Sequence, residues 1–136
     1  MDKTLVLIKP DGVRRQLIGE VIRRIETKGY TVEKMKMLTP TKDLLKKHYE
    51  EHTDKPFFGP LVDFMSSGPV VAIEVHGNRV IEGFRSLAGE TNPTVAKPGT
   101  IRGDLGRDWG SGVVENVVHG SDSTLSAERE LKLWFG

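Results

Sequence analysis

The chain has no cysteine in its 136 residues. That excludes disulfides and thiolate metal sites, and it suits a reducing cytoplasm. Long apolar runs are missing too. Leu5-Val6-Leu7-Ile8 stops at Lys9-Pro10-Asp11, too short for a signal-peptide core, and no segment is long enough to span a bilayer. Charge of one sign is also scarce: 20 Lys and Arg face 19 Asp and Glu, for a net charge of +1. The whole molecule therefore lacks the field of a nucleic-acid binder, and its low aromatic content points the same way. Two phosphate motifs are absent as well. There is no G-x-x-x-x-G-K-[ST], and no G-x-G-x-x-G follows a strand. An anion site in this chain must be built from individually placed cationic side chains.

The length fits one domain, residues 1–136, which buries roughly two-thirds of its unfolded surface and needs no staple. Thr4 to Lys9 reads as a buried strand broken by the turn Pro10-Asp11-Gly12. Ile18, Val21, Ile22 and Ile25 recur at helical spacing, and Gly29 ends that helix. Thr31 to Leu38 reads as a second strand. Thr41 to Glu51 and Leu61 to Met65 read as helices, with Pro56 and Pro60 punctuating the stretch between. Pro69 to Val75 is a third strand with proline at its first position. Val80, Ile81, Phe84 and Leu87 mark another amphipathic helix. Gly89 to Gly112 has no periodicity and reads as a long functional loop. A β-branched strand from Val113 to Val118 and a closing helix from about Ser123 to Trp134 follow. The resulting order, β-α-β-(α)-β-α-β-α, fits an α+β fold of ferredoxin-like βαββαβ type with extra helices. Strand order is not fixed by the sequence.

His119, just past the valine run in Asn116-Val-Val-His-Gly-Ser-Asp-Ser123, sits between a strand and the small polar residues that open a helix. An imidazole there is held yet reachable, as a nucleophile requires; an ordinary histidine at a strand end is the alternative. Lys9 at a strand end, Arg85 on a helix and Arg102 in the long loop are candidate phosphate cations, Arg for forked contacts and Lys for point-charge contact. Each is otherwise a solvated surface charge. His48-Tyr49-Glu50-Glu51-His52 fits H-x-x-E-H, the inverted zinc-peptidase pattern, and His48 and His52 would share a helix face. Nothing marks a third ligand.

These residues resemble the nucleoside diphosphate kinase family. The likeness rests on Asn116 to Ser123, Leu7 to Gly12, His48-Tyr49, Lys55 to Phe58, Ser67 to Val70, Gly89 to Pro93, Pro98 to Asp104, and Ala127 to Glu130 with Leu133-Trp134-Phe135. It implies the ferredoxin-like fold and a two-step phosphoryl transfer. His119 would take the γ-phosphate of a nucleoside triphosphate as phosphohistidine and pass it to a nucleoside diphosphate. Glu130 would orient the imidazole. Lys9 and Tyr49 would lie nearest the transferred group, and Arg85, Thr91 and Arg102 would hold the diphosphate portion. Asn116, with Lys9, would hold the sugar hydroxyl, and Phe57 would stack on the base. Mg²⁺ would arrive with the nucleotide, bound mainly by phosphate oxygens and water, with Asp122 reaching it through water at most. No resident metal is implied. The implied assembly is a cytoplasmic homo-oligomer, a hexamer ahead of a tetramer, that binds neither membrane nor obligatory nucleic acid. One departure stands out: the stretch from Asp104 to Gly112 is longer than the family pattern, and Trp109 within it is expected in a subunit interface. The competing readings are a non-catalytic nucleotide-binding module and a zinc peptidase using His48, Glu51 and His52.

Overall fold

The computed structural model describes residues 2–136. Its sheet has four strands: β1 (Asp2–Ile8), β2 (Thr31–Leu38), β3 (Val70–Gly77) and β4 (Val118–Gly120), ordered β2-β3-β1-β4. Every neighbouring pair is antiparallel. The helices are α1 (Pro10–Arg14), α2 (Ile18–Thr27), α3 (Lys42–His48), α4 (Phe58–Met65), α5 (Val80–Ala88), α6 (Ile101–Leu105) and α7 (Thr124–Phe135), with a short 3-10 turn at Glu50–His52. This is the ferredoxin-like arrangement, with α1, α3, α4, α6 and α7 added to the basic unit.

The central strands are buried on both faces, which explains why β1 and β3 read as continuous apolar runs rather than alternating ones. Val6 and Ile8 of β1, with Val71, Ile73 and Val75 of β3, pack under α2 and α5 through Val21, Ile25, Val80 and Phe84. Leu5, Leu7, Val70 and Ala72 face the other way and meet Leu45, Val62, Met65, Leu131 and Trp134 of α3, α4 and α7. Both layers thus clamp β1, whose last residues lead into the site. β2 lies at the sheet edge and is largely exposed, Met35 and Met37 included.

Several sequence expectations are corrected. The strand expected at Val113 to Val118 begins only at Val118, so His119 lies within β4, paired with Leu7. The cause is Val117, which adopts φ +71, a rare conformation for a β-branched residue. The expected helix from Thr41 to Glu51 ends at His48. Pro60 lies in the first turn of α4 instead of ahead of it, where the missing N–H is harmless. The long loop contains α6, capped by the Thr100 hydroxyl, which accepts from the Gly103 N–H. Pro10 starts α1 instead of a simple turn.

Candidate active site

The site is built where β1 and β4 end side by side. Val117 turns the chain into β4, and its unusual conformation costs about 1–3 kcal/mol. Long-range hydrogen bonds hold it there: its N–H donates to Asp11 Oδ2 at 3.0 Å, and its carbonyl accepts from the Lys9 N–H at 2.8 Å. One residue past His119, Gly120 lets the α5 layer approach, since a Cβ there would lie 2.6 Å from the Phe84 ring.

His119 is oriented by a buried chain of polar groups. Its Nε2 lies 2.9 Å from Glu130 Oε1. The same oxygen accepts from the Ser121 hydroxyl at 2.7 Å, and the Ser121 Oγ accepts from the Leu5 N–H at 3.2 Å. Burial alone would raise the Glu130 pKa, but the hydrogen bond from His119, that histidine's charge and the Ser121 hydrogen bond together hold it below its ordinary value. An ionised carboxylate can only accept. The imidazole proton therefore sits on Nε2, and the lone pair is on Nδ1.

Beside His119 lies an aromatic cluster. The His48 ring meets those of Tyr49, His119 and Trp134 edge-on, with centroids 4.6, 4.7 and 5.7 Å away. The indole N–H of Trp134 donates to His48 Nδ1 at 3.1 Å. Burial, reinforced by His119, lowers the His48 pKa to about 3, so it is neutral at working pH. Burial likewise raises the Tyr49 hydroxyl above its ordinary pKa, aided by Glu130, so it remains a proton donor. α3 ends here because Arg129 on α7 donates to the carbonyls of Lys47 and His48 at 2.9 and 3.3 Å.

The cations flank this group. Lys9 Nζ donates to Asn116 Oδ1 at 2.9 Å, and Asn116 Nδ2 donates to the Thr91 carbonyl at 3.1 Å. Burial, then repulsion from Arg102, lower the Lys9 pKa to about 8, against the pull of Asp11. Arg102 on α6 donates to the carbonyls of Gly89, Val118 and Asn116 at 3.0, 2.7 and 3.4 Å. Those bonds tie the long loop to β4 and use three of its five N–H donors. Burial and the nearby Arg85 lower its pKa to about 10, so it stays charged at neutral pH. Gly89, at φ +87, ends α5 so closely against Thr100 that a Cβ would meet its hydroxyl at 2.5 Å.

These groups line one cavity of about 710 Å³. Of the residues singled out from sequence, His119, Glu130, Lys9, Tyr49, Arg85, Thr91, Arg102 and Asn116 form its wall. Phe57 does not; it is half-exposed beside His52, which does, with ring centroids 5.4 Å apart. The stretch 104–112 contributes no residue to the cavity wall. There Arg107 and Glu115 form a two-residue bridge, and the indole of Trp109 donates to Glu115. Trp109 is 62% exposed in the single chain.

The zinc-peptidase pattern is not assembled. The helix breaks at Tyr49, and Trp134 occupies a ring nitrogen of His48. Among the described residues, the one cluster of three potential ligands is His48, His119 and Glu130, which leaves out Glu51 and His52. Sequence reasoning missed Ser121, Asp11, Arg129 and the Trp134–His48 pair. An Asp in the turn directly after an apolar strand was the available signal for Asp11; the others depend on partners distant in sequence.

A family model for nucleoside diphosphate kinase matches residues 2–136. The chain is 62% identical to the nucleoside diphosphate kinase of Thermobifida fusca over 135 residues, covering 99% of this chain and 97% of that protein. Against the enzyme of Archaeoglobus fulgidus it is 54% identical, covering 99% and 87%. Its fold is similar to the nucleoside diphosphate kinase structure from Encephalitozoon cuniculi, with TM-score 0.92, 41% identity and coverage of 100% and 90%. It is equally similar to the halophilic enzyme of Halobacterium salinarum in complex with CDP, with TM-score 0.93, 45% identity and coverage of 98% and 87%.

Proposed function

The chain belongs to the nucleoside diphosphate kinase family, and from that premise we propose that it moves a γ-phosphate between nucleotides through His119. The observation that carries this reading is the 2.9 Å contact of His119 Nε2 with buried Glu130. It leaves Nδ1 as the nitrogen with a lone pair for the cavity. In the first half-reaction Nδ1 attacks the γ-phosphorus. A P–N bond forms as the bond to the bridging oxygen breaks, and the nucleoside diphosphate leaves with that electron pair. In the second half an acceptor's terminal phosphate oxygen attacks the same phosphorus and His119 is regenerated. An imidazole nitrogen attacking through its lone pair has no proton to lose, so no separate base is required. In-line placement and charge neutralisation carry the catalysis.

Lys9 and the Tyr49 hydroxyl serve the transferred group. Arg85, Thr91 and the two unused donors of Arg102 serve the diphosphate portion. Asn116, already bonded to Lys9, takes the sugar hydroxyl, and Phe57 at the rim stacks on the base. A face contact accepts any base, which would give broad nucleotide acceptance. The cavity fits Mg²⁺ carried by the nucleotide rather than held by the protein. The His48, His119 and Glu130 cluster is too rich in nitrogen for Mg²⁺, a hard ion that prefers oxygen. The Asp122 carboxylate, kept ionised chiefly by a hydrogen bond from Ser126, lines the cavity as the group to reach it through water. Bound there, the ion would neutralise phosphate charge.

The open edge of β2, with exposed Met35 and Met37, supports a homo-oligomer, with a hexamer ahead of a tetramer; sedimentation of the purified protein separates the two. No described helix is long and apolar enough to cross a membrane, and the cysteine-free composition fits a cytoplasmic enzyme. The reading is tested by incubation with γ-labelled ATP and Mg²⁺ alone. Acid-labile label is expected on the wild type and none on His119→Ala; label that persists in the variant overturns the assignment.

A further inference from the structure

Resting on the phosphohistidine reading above, we infer that His48 is a fixed hydrogen-bond donor to the phosphoryl group in transit, with Trp134 setting the tautomer that makes it one. An indole N–H can only donate, so the 3.1 Å contact from Trp134 makes Nδ1 of His48 the acceptor. A neutral imidazole then carries its proton on Nε2. Burial keeps the ring neutral.

Among the described residues no acceptor takes that Nε2 proton: the one described side-chain hydrogen bond of His48 ends at Nδ1, and Nε2 is not among the sealed polar atoms. His48 is almost fully buried yet forms part of the cavity wall. Its unpartnered N–H therefore belongs to the cavity, on a ring that lies edge-on to that of His119. A ring nitrogen of His48, one of His119 and a carboxylate oxygen of Glu130 all lie within 4.8 Å of one another.

Such a triangle resembles a metal site, but its protons argue against one. A metal needs lone pairs from both imidazoles. Trp134 leaves His48 presenting N–H to the cavity, and Glu130 takes the proton of His119. What suits an unpaired N–H in the cavity wall beside the His119 ring, 4.7 Å between centroids, is an acceptor oxygen on the group that His119 attacks. A phosphoryl group in transfer spreads negative charge over three such oxygens. A neutral, pre-oriented donor stabilises that charge without adding repulsion to the crowded Lys9 and Arg102.

The test compares His48→Phe, which keeps a ring and loses the donor, with His48→Gln, which keeps an N–H, and with Trp134→Phe. Single-turnover phosphorylation of His119 by ATP is followed alongside ADP affinity. Long-range ¹H–¹⁵N spectra of the wild type report the His48 tautomer. Phosphorylation should slow by about 10- to 100-fold in His48→Phe, the range expected on losing a hydrogen bond to a charged group. ADP affinity should change little, and His48→Gln should recover most of the rate. Trp134→Phe should fall in between, with His48 no longer confined to the Nε2–H form. The proposal is overturned if His48→Phe reacts at the wild-type rate. It is equally overturned if Phe and Gln variants, both folded by circular dichroism, lose the same amount, or if wild-type His48 carries its proton on Nδ1. A wild type that never labels on His119 overturns the phosphohistidine reading instead, and the tautomer spectra still stand apart from that result.

Discussion

The two ends of the cavity are built differently. At the inner end each chemical group is fixed by partners from the sheet or from helices packed on it: His119 by Glu130 and Ser121, Lys9 by Asn116, Arg102 by three backbone carbonyls. At the outer end, Arg85 and Thr91 have exposed side chains and Phe57 is 49% exposed. Their described hydrogen bonds run through the backbone, such as that of the Thr91 carbonyl with Asn116, and none holds a side chain. Reaction geometry thus rests on rigid elements, where a small displacement is costly. On the proposed reading, the base and part of the diphosphate are left to exposed groups that can settle around different nucleotides. If this division holds, changes at the inner end should damage rate or folding, and changes at the outer end only affinity.

The largest effect is expected at Lys9. Lys9→Gln should lower kcat/KM by on the order of 100- to 1000-fold, as loss of a preorganised charge stabiliser does. The wild type should also show an alkaline limb. The Lys9 pKa is lowered to about 8 in the free protein, so the cation is present below that pH and is lost as pH rises through it. kcat/KM, which reports the free enzyme, should fall above about pH 8. Saturating nucleotide favours the charged form, so kcat should hold to higher pH. Steady-state profiles of both proteins decide this, because a limb that survives in Lys9→Gln belongs to another group.

Next comes the support beneath the inner end. Asp11 is fully buried, and one carboxylate oxygen holds the Val117 N–H. Asp11→Ala leaves that N–H unpaired and Val117 without its restraint, for a cost of about 2–3 kcal/mol. Urea unfolding should show the midpoint shift with the slope unchanged. A variant as stable as wild type would mean that the turn into β4 holds itself.

Most of the layered fold is legible from periodicity. β1 and β3 appear as apolar runs, while α2, α5 and α7 appear as stripes or capped segments. Strand order is not legible, because antiparallel partners leave no mark in a single strand's pattern. The misplacement of β4 has a specific cause. Four valines between residues 113 and 118 have strand chemistry, but Asp11, more than a hundred residues earlier, takes the Val117 N–H and turns the chain. α3 was overextended for the same kind of reason, since Arg129 takes the carbonyls on which another turn would build. At the site, single residues with distinctive chemistry were readable and resemblance supplied their grouping. Ser121 and the Trp134–His48 pair were not readable: a serine and a tryptophan carry no signal of orienting a histidine until the fold brings them to it.

Phe57 offers the smallest and most discriminating test of the contrast between the two ends. It belongs to no wall of the cavity in this structure, lying instead against His52 at the rim. If its face receives the base, Phe57→Ala removes one stacking contact, worth about 1 kcal/mol at a half-exposed position. KM should rise about fivefold at unchanged kcat, because stacking is equal in ground and transition states and so counts as uniform binding. The loss should be greater for purine than for pyrimidine nucleotides, since the larger ring system covers more of the phenyl face. Folding should be nearly unaffected, because half of the side chain is already in water. A fall in kcat instead would mean that the outer end also helps set the geometry at His119, and the division between a rigid and an adaptable end would fail. Steady-state kinetics with a purine and a pyrimidine diphosphate acceptor, at fixed ATP, separate these outcomes.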